Sequence, residues 1–143
     1  SSSVMPTKHP VYGISGAPRR PFKWPGGLLE IPAPVARIGA LAIPFLGGFY
    51  LRYLPKVLVN ALLNRGEGEQ CYWVYSHPYD FDHKEQFYRI DGSSLPVSML
   101  LWLNRKRTFE KLEWLFPSSE NEALSFASLI AAGEFNDAVT YDY

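Results

Sequence analysis

The segment that most restricts the fold is Gln70-Cys71-Tyr72-Trp73-Val74-Tyr75, an almost unbroken aromatic and β-branched run closed by His77-Pro78. A strand buried on both faces of a parallel sheet has this composition. Before it, Leu54, Leu58, Ala61 and Leu62 recur at spacings of three and four. They predict a helix over 54–64 with one buried stripe, Pro55 in its first turn, and Gly66 and Gly68 beyond its end. Upstream, Leu28 to Ile31 lies between breakers and reads as a short strand, and Ala40 to Pro44 as a second. Strand, helix and strand in this order make a βαβ pattern. Gly47-Gly48 predicts a turn or a close backbone approach.

The flanks divide accordingly. Residues 1–25 are rich in proline and polar residues and predict ordered coil, residues 26–116 form the βαβ-type core, and 117–143 a last helix and tail. Tyr79 to Ser94 reads as a loop. Asn104 is a candidate cap for a helix over 105–116 with Phe109, Leu112, Leu115 and Phe116 facing inward. Ser119 and Glu122 match a capping box before a helix over 123–132, Gly133 ends that helix, and the acidic tail from Glu134 is expected to fray. The expected fold is α/β, with a small, mostly parallel sheet and about three helices. So few strands cannot close a barrel.

Lys plus Arg and Asp plus Glu balance at 14 each, so no global field attracts nucleic acid or an anionic membrane surface. The Arg105, Lys106, Arg107 and Lys111 cluster reads as a solvated face. No apolar run approaches the roughly 18 residues of a membrane span. Cys71, the single cysteine, cannot form an internal disulfide and reads as a small buried hydrophobe. Compartment stays open.

His77 is the leading candidate for chemistry, because it follows the best strand at the edge where α/β folds build sites, and a histidine there can move a proton near neutral pH. Asp80, Asp82 and His83 extend the run, but the spacing matches no strong zinc pattern. Arg19 in a basic, aromatic stretch, Glu30 alternating with apolar neighbours, Arg52 after the glycine pair and Tyr75 before the histidine are candidate sugar ligands; each also has a purely structural explanation.

In order along the chain, Ser2-Ser3-Val4-Met5-Pro6, Tyr12-Gly13, Ala17-Pro18-Arg19, Gly26-Gly27-Leu28-Leu29-Glu30-Ile31-Pro32, Gly47-Gly48-Phe49-Tyr50-Leu51-Arg52, Val74-Tyr75-Ser76-His77-Pro78 and Leu103-Asn104-Arg105 resemble the C-terminal region of the polysaccharide deacetylases of carbohydrate esterase family 4. These pieces resemble the subgroup found with exosortase-linked exopolysaccharide loci. The resemblance implies a bacterial hydrolase that removes acetyl groups from a polysaccharide on a distorted β/α barrel, of which this chain would be an arc. It implies a divalent metal, often zinc, whose Asp and two His ligands lie with the base Asp in early motifs absent from this chain. It also implies that His77 is the acid that protonates the departing amine. Tyr79-Asp80 stands where that family has Trp-Glu, and Tyr75 where a leucine is common, which implies a different acetyl pocket.

On this reading the chain is a fragment, cleavage product or stand-alone domain. Its partners would be the polysaccharide and the missing N-terminal part of the enzyme, and it would be inactive alone. The alternative is a non-catalytic domain of the same descent that binds polysaccharide or a protein. A third reading is an unrelated α/β interaction domain.

Overall fold

The computed structural model describes residues 4–8, 13–39, 41–65, 71–116 and 123–142. Two short hairpins are the first elements among the described residues. Strand β1 (Phe22–Lys23) pairs antiparallel with β2 (Leu29–Glu30), and β3 (Ala36–Ile38) pairs antiparallel with β4 (Leu41–Ile43). Gly26 and Gly27 lie at φ +101° and +87°, conformations that side chains resist, and they turn the first hairpin. Helices follow: α1 (Gly48–Tyr53), α2 (Lys56–Asn64), α3 (Leu95–Trp102), α4 (Arg107–Leu115) and α5 (Phe126–Ala131), with a 3₁₀ turn at Pro78–Asp80 between α2 and α3.

Among the described residues the strands therefore form two antiparallel pairs instead of the expected mostly parallel sheet, and the helices number five instead of about three. The Cys71 to Tyr75 run is not a strand. It meets the rest of the fold through one parallel bridge between Gly47 and Tyr75, with the Gly48 N–H donating to the Tyr75 carbonyl at 2.8 Å. Its rings pack as side chains: Trp73 sits against Tyr75 and Phe126, and its Nε1 donates to the Pro32 carbonyl at 3.0 Å. Aromatic content here serves packing.

Among the described residues two apolar clusters form the core. The larger gathers Ala36, Phe45, Leu46, Leu51, Val59 and Leu62, with Leu54, Leu58, Val74, Leu112, Trp114 and Leu115 against it. The stripe on α2 is thus turned from its expected position, because Val59 is sealed while Ala61 faces out. On α4 Leu112 and Leu115 face inward as expected, whereas Phe109 and Phe116 are exposed and Thr108 and Lys111 take the buried positions. The second cluster is Val4, Ala17 and Phe22, covered by Ile14, Trp24 and Tyr141. The tail is docked here and not frayed: Lys23 donates its N–H to the Val139 carbonyl, and Tyr141 donates back to the Lys23 carbonyl, both at 2.8 Å.

Local chemistry sets the helix limits. Pro55 precedes α2, and its carbonyl accepts the Val59 N–H. Ser94 and Pro96 begin α3. Ser125 caps α5, its Oγ accepting the Ser128 N–H at 3.0 Å, and Gly133 at φ +79° lies beyond the helix end. The expected box at Ser119 and Glu122 and the stop at Gly66 and Gly68 lie outside the described residues. Among the described residues no helix is long and apolar enough to cross a membrane.

Candidate functional site

The site is built around the turn that carries His77. Pro78 starts the turn with its φ already near the helical value, and Asp80 ends it. The Asp80 N–H donates to the His77 carbonyl, and Asp80 Oδ2 accepts the His77 N–H, both at 2.9 Å. These reciprocal bonds fix the backbone under the imidazole. The ring itself is exposed and stacks on Tyr79, with centroids 5.0 Å apart and planes 13° from parallel. Its exposure lets it meet a solute.

Asp80 is fully enclosed. Its Oδ1 lies 3.4 Å from Arg52 Nη2, and the side chains of Arg52 and Asp80 are 0% and 2% exposed. Arg52 Nη1 donates to the carbonyls of Leu101 and Leu103, at 3.1 and 3.3 Å, and Tyr53 Oη donates to those of Leu100 and Leu103. The end of α1 thereby satisfies carbonyls that the end of α3 leaves open. Rings of Phe49 and Tyr53 flank the Arg52 guanidinium at 5.7 and 5.9 Å. Burial pushes the Arg52 pKa below the usual arginine value, and the Asp80 charge opposes that shift. Burial likewise raises the Tyr79 phenol, and Asp80 adds to the rise.

The glycine pair explains itself at this point. A Cβ on Gly47 would lie 2.5 Å from Tyr75 Oη, and one on Gly48 would collide with the Asp80 carboxylate and approach Ser76 Oγ. The two segments close together because neither glycine carries a side chain. From the other side, Thr108 Oγ1 on α4 donates to the Asp80 carbonyl at 2.7 Å. Arg105 Nη1 donates to the Asp82 carbonyl at 3.1 Å and pairs with Glu85.

The candidates therefore separate. His77, Tyr75 and Arg52 meet around one turn, joined by Asp80, which the spacing places beside His77 without indicating its partner. Arg52 is a correction to the reading as a sugar ligand. A guanidinium with no exposure cannot touch a polymer in solvent, and its contacts position the His77 turn instead. Tyr75 is half-buried against Gly47 and Trp73. Glu30 needs the same correction, because it is 0% exposed beside the second apolar cluster. Its Oε1 accepts the Val4 N–H at 2.8 Å and its Oε2 the Trp24 Nε1 proton at 3.4 Å. Arg19 is half-buried on the N-terminal coil. Sequence reasoning misses Thr108, and its reading of Arg105 and Lys111 as part of a solvated face is corrected, because both are buried and their side chains serve the Asp82 and Leu51 carbonyls.

The Asp80, Asp82 and His83 run gathers no ligand set. Asp82 Oδ1 accepts the N–H groups of Lys84 and Glu85, both at 3.1 Å, while Asp80 is committed to Arg52 and the His77 N–H. Among the described residues no three His, Cys, Asp or Glu side chains stand together as metal ligands. Among the described residues no such cluster is present to hold the zinc that the resemblance implies.

No curated protein and no solved structure matches the chain. Residues 2–130 match the family described as Domain of unknown function (DUF3473), a span that covers most of the 143 residues and includes the whole His77 turn, and the chain belongs to that family.

Proposed function

We propose that this chain is the C-terminal portion of a metal-dependent polysaccharide deacetylase, acting on acetylated sugars of a bacterial polysaccharide, and that His77 supplies the proton to the departing amine. The observation that carries the reading is an exposed imidazole on a turn whose backbone is fixed by a solvent-sealed ion pair. A general acid must reach substrate while its mount stays rigid, and a positioned acid contributes about 10²–10⁴ in rate. His77 would hold its proton toward the amide nitrogen and release it as the C–N bond breaks. Arg52 and Asp80 would keep the turn in place. The metal ligands and the base belong, on this reading, to another segment of the protein, and the proton donor is the part of the chemistry that this chain supplies.

A second observation favours a larger assembly. Helix α3 is apolar on nearly every face, and Leu95, Val97, Met99 and Leu100 are exposed on it. An apolar helix of this kind is usually covered in a finished protein, and the remainder of a β/α barrel would cover it.

Acetate release from an acetylated amino-sugar polymer, measured on the full-length protein with zinc present, tests the proposal. His77→Ala should lower turnover by about 10²-fold or more while leaving the unfolding midpoint in place. Unchanged turnover would reduce His77 to a surface residue. The 143-residue chain alone should release no acetate, and turnover by it would overturn the division of the site.

A further inference from the structure

Beside the His77 turn lies a cleft that proton donation does not use. It is a shallow cleft, open to solvent, of about 560 Å³ between His83 and the α3–α4 corner. Sites for small ligands commonly span about 300–1,000 Å³. The corner turns at Asn104, whose φ of 63° is in the left-handed region. It brings Arg105, Lys106 and Arg107 to one wall, with Trp102 and His83 also lining the space and Glu110 as the carboxylate among them.

The four clustered cations of this region divide into two kinds. Lys111 and Arg105 are buried and structural, while Lys106 and Arg107 are exposed and make no ion pair among the described residues. Arg105 is 6% exposed, and its Nε has no hydrogen-bond partner although its Nη1 is bonded to Asp82 and Glu85. With Arg105 offset by Glu85, Lys106 and Arg107 still outweigh Glu110. No side chain caps the start of α4, so its positive end adds to the same field. Trp102 is held half-buried by its Nε1 bond to the Glu85 carbonyl at 3.1 Å and by Phe87 at its edge. An aromatic plane with adjacent cations suits a sugar ring that carries a carboxylate.

We propose that this cleft binds an acidic sugar residue of the polysaccharide, with Lys106 and Arg107 engaging its carboxylate and Trp102 its ring. The polymer class rests on the function proposed above, whereas the demand for negative charge comes from the cleft. Arg105 and Thr108 bolt the corner to the Asp82 and Asp80 carbonyls, so the cleft and His77 stand on one rigid segment. A patch this small on a chain of zero net charge is a poor match for a long polyphosphate backbone.

Calorimetric titration of the full-length protein with a galacturonate tetrasaccharide, a neutral glucose tetrasaccharide and a single-stranded oligonucleotide of equal charge tests this. The acidic sugar should bind at least about tenfold more tightly than the neutral one, and Lys106→Ala/Arg107→Ala should remove that advantage. Both substituted side chains are exposed, and an unchanged circular-dichroism melt will confirm the fold. Affinity is read here without turnover, so a loss of turnover in His77→Ala and a loss of charge preference in the double variant report separately on the proton-donor assignment and on the cleft. Equal affinity for the neutral sugar, indifference to the double substitution, or tighter binding of the oligonucleotide would each overturn the proposal.

Discussion

The Arg52 guanidinium and the Asp80 carboxylate face each other at 3.4 Å with almost no exposure to solvent, and Asp80 uses its other oxygen to hold the His77 N–H. Helix α1 therefore controls the backbone of the turn that presents the imidazole. Removing one member of such a pair leaves a buried charge without compensation, which commonly costs about 3–5 kcal/mol. Asp80→Asn should lower the urea midpoint accordingly. Arg52→Met/Asp80→Asn should recover part of the loss, because the stranded charge is gone while the Leu101 carbonyl still lacks the donor that Arg52 supplied. An unchanged midpoint in Asp80→Asn would show that the pair does not hold the turn.

The parts of the fold legible in the sequence are those with a local cause. The helix before Arg65 follows from its apolar spacing, the last helix ends at Gly133 as its φ requires, and the glycine pair marks a close approach. The Cys71 to Tyr75 run reads wrongly as a strand because apolar composition cannot separate a buried strand from a coil whose rings fill a core. Helices α1 and α3 leave little trace for related reasons: α1 begins on glycine, and α3 has no polar face to create a period. His77 is legible from its neighbours. The interlocking of Arg52, Asp80, Thr108 and Lys111 is not, since each bond spans 28 or more residues.

Gly48 offers a direct check on that interlocking. Alanine in a helix normally stabilises relative to glycine. Here the added methyl meets the Asp80 carboxylate, which is anchored by Arg52 and the His77 N–H and has no room to withdraw. Gly48→Ala should therefore destabilise by about 1–3 kcal/mol, the usual cost of overpacking. Thermal unfolding followed by circular dichroism would measure it, and a stabilised variant would mean that Asp80 has freedom not evident from its contacts.

Cys71 is half-buried, and burial raises its thiol pKa above the ordinary value. Thiolate, not thiol, is the attacking species. Alkylation of the folded chain at a pH of about 7.5 should run at least about tenfold more slowly than that of a short cysteine peptide, and denaturant should abolish the difference. Equal rates would place the sulfur in a more polar setting than its neighbours indicate.

Lys111 on α4 reaches under α1, where its Nζ donates to the Leu51 carbonyl at 2.9 Å and to the Leu54 carbonyl. These are carbonyls that the end of α1 leaves open, so the ammonium acts as a remote cap. Burial is the main cause that lowers its pKa, with Lys56 and Arg107 adding repulsion. Lys111→Met should cost about 1–3 kcal/mol at neutral pH, because two buried carbonyls lose a charged donor. The pH dependence follows from the direction of the shift. Between the lowered native pKa and the ordinary lysine value the unfolded chain binds more protons than the native one, so this group's contribution to stability rises with pH across that alkaline window. The wild-type advantage over Lys111→Met should widen as pH increases from neutral into the window. Urea midpoints of both proteins across that range provide the measurement, and a gap that narrows would show that the ammonium is better solvated than its position under α1 implies.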